Sequence, residues 1–262
     1  MFKQLRSAIY AEIYKLKHGS IPVTVVLLPV VIVVVMTFVL PLLQGSRGAD
    51  LPGVNPWLSM LVNLLQIWAF IQAFIVAVIT AQIAGLEHGN QRWKYLFALP
   101  LSRHAIYTAK VIVAIALFGI SVLVMLGTLI LSGMALTLLQ PEIGIQASLP
   151  LADMILVIVV NYLASWLMIT LHSWVALYWP SFGPSVGLAM VAFLLNLVLA
   201  NTVNFSRVFP WALPTNYFLV GPELSSSVIA PEIALTSVLL SIIATVIIVP
   251  ASAWLVTRRD VL

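Results

Sequence analysis

From Ile21 to about residue 43 the chain runs without a single charged side chain, and comparable apolar runs, charged only near their margins, recur at about 58–84, 106–131, 152–177, 185–201 and 233–256. A bilayer's hydrocarbon core, about 30 Å thick, takes roughly 20 apolar residues per helical span. With no water there to satisfy the backbone, a spanning segment of this length closes its hydrogen bonds within itself, as a helix. Composition supports the same solvent. Hydrophobic residues make up 62% of the 262 and charged ones 8%, against about 25% charged in a soluble domain. A soluble fold of this size could not bury so much apolar surface. The sequence therefore predicts an all-α membrane protein of about six transmembrane helices. No internal repeat divides it, so residues 1–262 read as one transmembrane domain. The chain has no cysteine, which removes disulfides, thiolate metal sites and thiol catalysis.

Residues 1–18 (MFKQLRSAIYAEIYKLKH) are too charged for a signal peptide. Phe2, Leu5, Ile9, Ile13 and Leu16 recur at spacings of three and four, with Lys3, Arg6, Lys15 and Lys17 on other faces. That pattern predicts a basic amphipathic helix in the interface plane, the alternative being a flexible basic tail. The first span carries Pro22, Pro29 and Pro41, which membrane helices tolerate. The most polar stretch of the chain, Glu87 to Lys110, separates the second and third spans. Residues 202–232 are aromatic, proline-bearing and too broken to cross, fitting an interfacial belt or a re-entrant segment.

With six spans, Lys3, Arg6, Lys15, Lys17, Arg92, Lys94, Arg103, Lys110, Arg258 and Arg259 share one side, and only Arg47 and Arg207 lie on the other. Basic residues concentrate on the cytoplasmic side, so both termini are expected there and residues 202–232 outside.

Catalytic chemistry is hard to find. No H-E-x-x-H or G-x-S-x-G occurs. Glu87, His88 and His104 share one loop, but their spacing matches no metal site, and no metal ligand is assigned. The span centres hold no charged residue, which argues against a proton-coupled carrier. Asp153 opens the fourth span and His172 lies toward its cytoplasmic end. Uncharged polar residues do lie within the spans: Asn63, Gln66, Gln72, Gln82, Asn161 and Asn196. Asn63 and Gln66, three apart, share a helix face; they either line a pathway or join helices by hydrogen bonds. The Gly183–Gly187 pair reads as a close helix-packing site. Between the second and third spans, Arg92, Trp93, Lys94, Tyr95 and Phe97 alternate charge with aromatic surface. Such a run forms either a short helix docking on a cytoplasmic partner or one resting on anionic headgroups. Nothing in the chain points to nucleic acid.

Four places resemble one family. AEIYKLKHGS (11–20) is similar to the basic elbow helix of ABC-2 type transporter membrane subunits, with its Glu-x-x-Lys-x-Lys pattern. Glu87 to Lys110 is similar to the segment containing their coupling helix: a Glu, a Gly two residues on, then Leu-Pro-Leu-Ser-Arg and a later Lys. PWALPTNYF (210–218) resembles their broken extracellular segment, and the terminal TRRDVL their Arg-Arg-Asp tail. Within that superfamily the chain most resembles the permeases of lantibiotic-immunity and bacitracin-resistance exporters. The resemblance implies a permease that is not itself an enzyme and needs no cofactor of its own. ATP and Mg would sit on a separate cytoplasmic ABC ATPase, and a second permease subunit, the same chain or a sister, would complete the path. It implies a bacterial inner-membrane location, contact with membrane lipids, a coupling segment at 87–105, and ATPase contacts by Glu87, Arg92, Trp93 and Lys94. Asn63 and Gln66 are the expected path-lining residues. The expected cargo is a peptide antibiotic or similar amphipathic drug. The alternatives are a lipid, polymer or cofactor-maturation substrate, or a membrane anchor that transports nothing.

Overall fold

The computed structural model describes residues 2–17, 19–39, 54–88, 101–139, 145–199, 207–216 and 230–257. Eight α-helices follow in order among them: α1 (Phe2–Leu16), α2 (Ile21–Val34), α3 (Pro56–His88), α4 (Arg103–Leu139), α5 (Leu151–Ala164), α6 (Trp166–Tyr178), α7 (Gly183–Leu199) and α8 (Pro231–Thr257). A π-helical turn, Val35–Val39, continues α2. Five stretches are long and apolar enough to cross a membrane: Ile21–Val39, α3, α4, Leu151–Tyr178 and α8. A further apolar helix among the described residues, α7, is shorter than these five.

The ends of these helices alternate as a six-span chain requires. Ala84 of α3, Tyr107 and Val111 of α4, Ala176 and Leu177 of α6, and Ala253 of α8 form one buried cluster. That cluster marks one end of the bundle, where α1 also packs on α4; this end, which gathers Lys15, Arg103 and Lys110, is the basic end. At the opposite end, Asn55 Nδ2 donates to the Ser148 carbonyl at 2.9 Å and Trp57 Nε1 to the Ala147 carbonyl at 3.1 Å. These bonds tie the start of α3 to the residues just before α5.

Helices α3 and α4 are the axis of the core. Leu61, Leu65, Trp68, Ile75 and Ile79 form one stripe of α3, buried with Phe118, Val122, Met125 and Leu129 of α4 and Met168 and Ile169 of α6. With 33 residues, α3 extends roughly 50 Å. It therefore outruns the hydrocarbon and carries its last turn beyond the expected end of the second span.

The fourth span is broken where the sequence reads as continuous. Ser165 Oγ bonds back to the Asn161 carbonyl at 2.8 Å, and the Leu167 N–H donates at 3.0 Å to Ser241 Oγ of α8. A serine hydroxyl competing for helix carbonyls bends a helix, and here a second helix takes the N–H as well. The Gly183–Gly187 pair departs from expectation too. A side chain at Gly187 would meet nothing within 4 Å, and one at Gly183 only the Ser181 hydroxyl at 4.0 Å. Within the described residues no helix of this chain packs there.

Among the described glycines, Gly133 makes the closest approach: a Cβ there would strike the Trp57 ring. Gly133→Ala should displace that indole and cost about 1–3 kcal/mol, as overpacking does, whereas Gly187→Ala should be neutral. Thermal unfolding of both variants in mild detergent checks the contrast.

Candidate coupling site

Four charged side chains from three helices meet at the basic end. Helix α1 contributes Glu12 and Lys15 one turn apart, so both face α4. Glu87 lies in the last turn of α3 and Lys110 in the second turn of α4. Lys110 Nζ donates to Glu12 Oε2 at 2.8 Å and to Glu87 Oε1 at 3.1 Å. Lys15 Nζ donates to Glu12 Oε1 at 2.8 Å and also to Glu87 Oε1. The four pairs close a ring of alternating sign with no net charge.

Burial gives the ring its weight. Lys110 is 1% exposed, and both carboxylates are buried; only Lys15 reaches toward solvent. Charges removed from water cost several kcal/mol each unless they are fully paired, and here each ammonium touches two carboxylates and each carboxylate two ammoniums. Burial works to lower the pKa of Lys15, but the attraction of Glu12 and then Glu87 outweighs it, and the ammonium is held above its ordinary 10.5.

The flanking contacts fix the same junction. His88 Nε2 lies 3.1 Å from the Ala176 carbonyl, tying the end of α3 to α6. Ser102 Oγ accepts from the Ala105 N–H at 3.2 Å, capping the start of α4.

Helix α1 turns Ala8 and Glu12 inward, with Leu5, Ile9 and Leu16 half-buried beside them, while Ile13 is 52% exposed. The pull of Lys110 on Glu12 turns the helix so that a carboxylate, not Ile13, lies inward. Glu87 likewise points into the bundle rather than out toward a partner. Sequence reading missed the ring as a unit, although three of its members continue buried stripes: Val76, Thr80 and Ile83 lead to Glu87; Lys110 leads to Val113 and Leu117; Ala8 leads to Glu12.

Of the other expected site residues, Arg92, Trp93 and Lys94 lie outside the described residues. Asn63 is half-buried on α3, and Gln66, three residues on, is exposed. Gln72, at the midpoint of α3, is fully buried with neither amide atom paired among the described residues.

A second polar assembly surrounds residues 207–216, which enter among four helices. Asn161 Nδ2 of α5 donates to the Pro214 carbonyl at 2.9 Å, and Asn196 Nδ2 of α7 to the Trp211 carbonyl at 3.4 Å. Ser237 Oγ of α8 donates to Asn216 Oδ1 at 2.9 Å. Trp211 Nε1 donates to His172 Nε2 of α6 at 3.1 Å. An indole N–H can only donate, so this imidazole accepts at Nε2 and, when neutral, carries its proton on Nδ1. His172 therefore serves as an anchor for this segment.

Lys110→Gln should leave two buried carboxylates facing Lys15 alone and cost about 3–5 kcal/mol. Glu87→Gln with Lys110→Gln leaves a balanced Glu12–Lys15 pair and should recover much of that loss. Lys15 adds a pH signature. Its stabilising contribution is complete below 10.5 and is lost as pH rises through the higher value it has in the fold. The thermal midpoint should therefore fall in strong alkali, and less steeply in Lys15→Met. Intrinsic fluorescence melts across pH read both effects.

Among curated proteins no significant relative of the chain is found. The family model described as "ABC-2 family transporter protein" matches residues 8–196, a stretch that contains all four ring residues and every span except the last. On that match, which covers well over half of the chain, the protein belongs to the ABC-2 family of transporters, as a multi-pass, non-catalytic membrane subunit.

Proposed function

We propose that this chain is the permease of an ATP-driven exporter and that the buried ring couples it to a cytoplasmic ABC ATPase. The observation that carries this reading is the position of Glu87 and Lys110. They flank the 89–102 connection on its two sides and are bonded to each other and to α1 through Glu12 and Lys15. A push on that connection therefore reaches α3, α4 and α1 together. Arg92, Trp93 and Lys94 supply the contact with the ATPase, and Glu87 acts from behind them as an anchor. ATP and Mg are bound by the partner.

On this reading the basic end faces the cytoplasm of a bacterial cell, where ten of the twelve cations are expected, and residues 207–216 re-enter the bundle from the outer side. Two permease subunits, identical or sister chains, form the path. Gln66 supports this division, because an exposed amide inside a span is costly in hydrocarbon. Asn63 and Gln66 therefore face the path or the second subunit. The cargo is a peptide antibiotic or a similar amphipathic drug; the resemblance of the elbow, coupling, 210–218 and tail motifs to lantibiotic-immunity and bacitracin-resistance permeases supports that choice.

Purification from native membranes in mild detergent should bring down a stoichiometric ATPase carrying a Walker A loop, and recovery of the chain alone would sink the reading. Trp93→Ala with Lys94→Glu should abolish resistance to a lantibiotic while leaving the protein's level unchanged. Full resistance in that variant would remove the assigned ATPase contact.

A further inference from the structure

Midway along α3, two polar groups interrupt the apolar stripe that packs on α4 and α6. Trp68 and Gln72 are one helical turn apart on that stripe, and both are fully buried. The Trp68 indole nitrogen and both amide atoms of Gln72 have no hydrogen-bond partner among the described residues. Their surroundings are apolar: Leu65 and Ile75 continue the stripe, and Phe118, Val122 and Met125 of α4 with Met168 of α6 belong to the same buried cluster. Buried hydroxyls on α3 and α4 are committed elsewhere. Ser121 Oγ donates to the Val25 carbonyl at 2.9 Å, and Thr80 Oγ1 to the Val76 carbonyl at 2.8 Å.

The unmet groups are complementary. An indole N–H can only donate, and an amide offers a carbonyl acceptor beside its own donors. A direct bond from Trp68 Nε1 to Gln72 Oε1 is nevertheless not made. Residues four apart on a helix stand about 5–6 Å apart at Cβ, and a donor–water–acceptor bridge spans about 5.5 Å. Buried polar groups that lack a direct partner are joined by internal water, which needs two to four such contacts. A charged ligand does not fit here, because the ionic ring at Glu87 lies roughly 22 Å further along the helix and the cluster around Gln72 carries no ion.

We propose that α3 carries an internal water site at mid-span, in which a water accepts from Trp68 Nε1 and donates to Gln72 Oε1. The molecule recognised is small, neutral and both donor and acceptor. The inference goes beyond the exporter reading and does not require it.

The chain has eight tryptophans, and isotope labelling of the indole nitrogens in the full-length protein in bilayers separates their N–H signals, with Trp68→Phe identifying that of Trp68. Proton-detected NMR should show a cross-peak between water and the Trp68 indole N–H. Two tryptophans of the same chain calibrate it. Trp211, whose indole donates to His172, should show none, and Trp179, 37% exposed, should show a strong one. Gln72→Leu should remove the Trp68 cross-peak and shift its nitrogen resonance. The unmutated protein gives the answer by itself, should Gln72→Leu fold poorly. Absence of the cross-peak at Trp68 in the unmutated protein overturns the proposal, because the indole then bonds to another part of the chain or to nothing. An undiminished cross-peak in a folded Gln72→Leu variant overturns it too, since the water would then not depend on the amide.

Discussion

Two carboxylates and two ammoniums, three of the four shut away from water, hold the basic end of this protein together. Each ion would be intolerable alone, since desolvation of an unpaired charge costs more than any neighbouring packing returns. Closed into a ring, they make the positions of α1, α3 and α4 interdependent. No member can leave without exposing the others, and no member's helix can rotate without breaking two bonds. An apolar contact at the same place would slide; an ionic ring of fixed partners either holds or opens. The three helices joined here are the two that flank the 89–102 connection and the one that leads into the first span.

The spans are legible in the sequence because lipid leaves the chain so few choices. Apolar length alone places α3, α7 and α8 within about four residues at either end, whereas α4 runs eight residues past the expected 131 to Leu139. What the sequence does not disclose is the direction of a charged side chain at a span boundary. At such a boundary a glutamate is equally at home in solvent or in a buried pair, and only the neighbouring helix decides. Glu87 reads as an outward contact and is found inward because Lys110 and Lys15 are there to receive it. Glu12 likewise turns inward, to Lys110 and Lys15. The resemblance to the ABC-2 elbow and coupling motifs singles out Glu12, Lys15, Glu87 and Lys110 as elements of separate patterns; their meeting is a fact of tertiary structure.

The uncharged polar residues divide in a way their spacing does not announce. Gln82 donates to Thr24 at 3.1 Å, and Asn161 and Asn196 hold the 207–216 segment, so these three join parts of the bundle. Gln66 remains exposed and Gln72 remains buried without a partner among the described residues. Both lie on α3, the helix that also ends in the ring.

The break at Ser165 has a further consequence. In an uninterrupted helix the Leu167 N–H would bond to the carbonyl four residues back, on Leu163; here it bonds to the Ser241 hydroxyl. The fourth span is thereby tied to α8 at its break by a side-chain hydrogen bond, so a shift of Ser241 would take away the acceptor that the Leu167 N–H now uses.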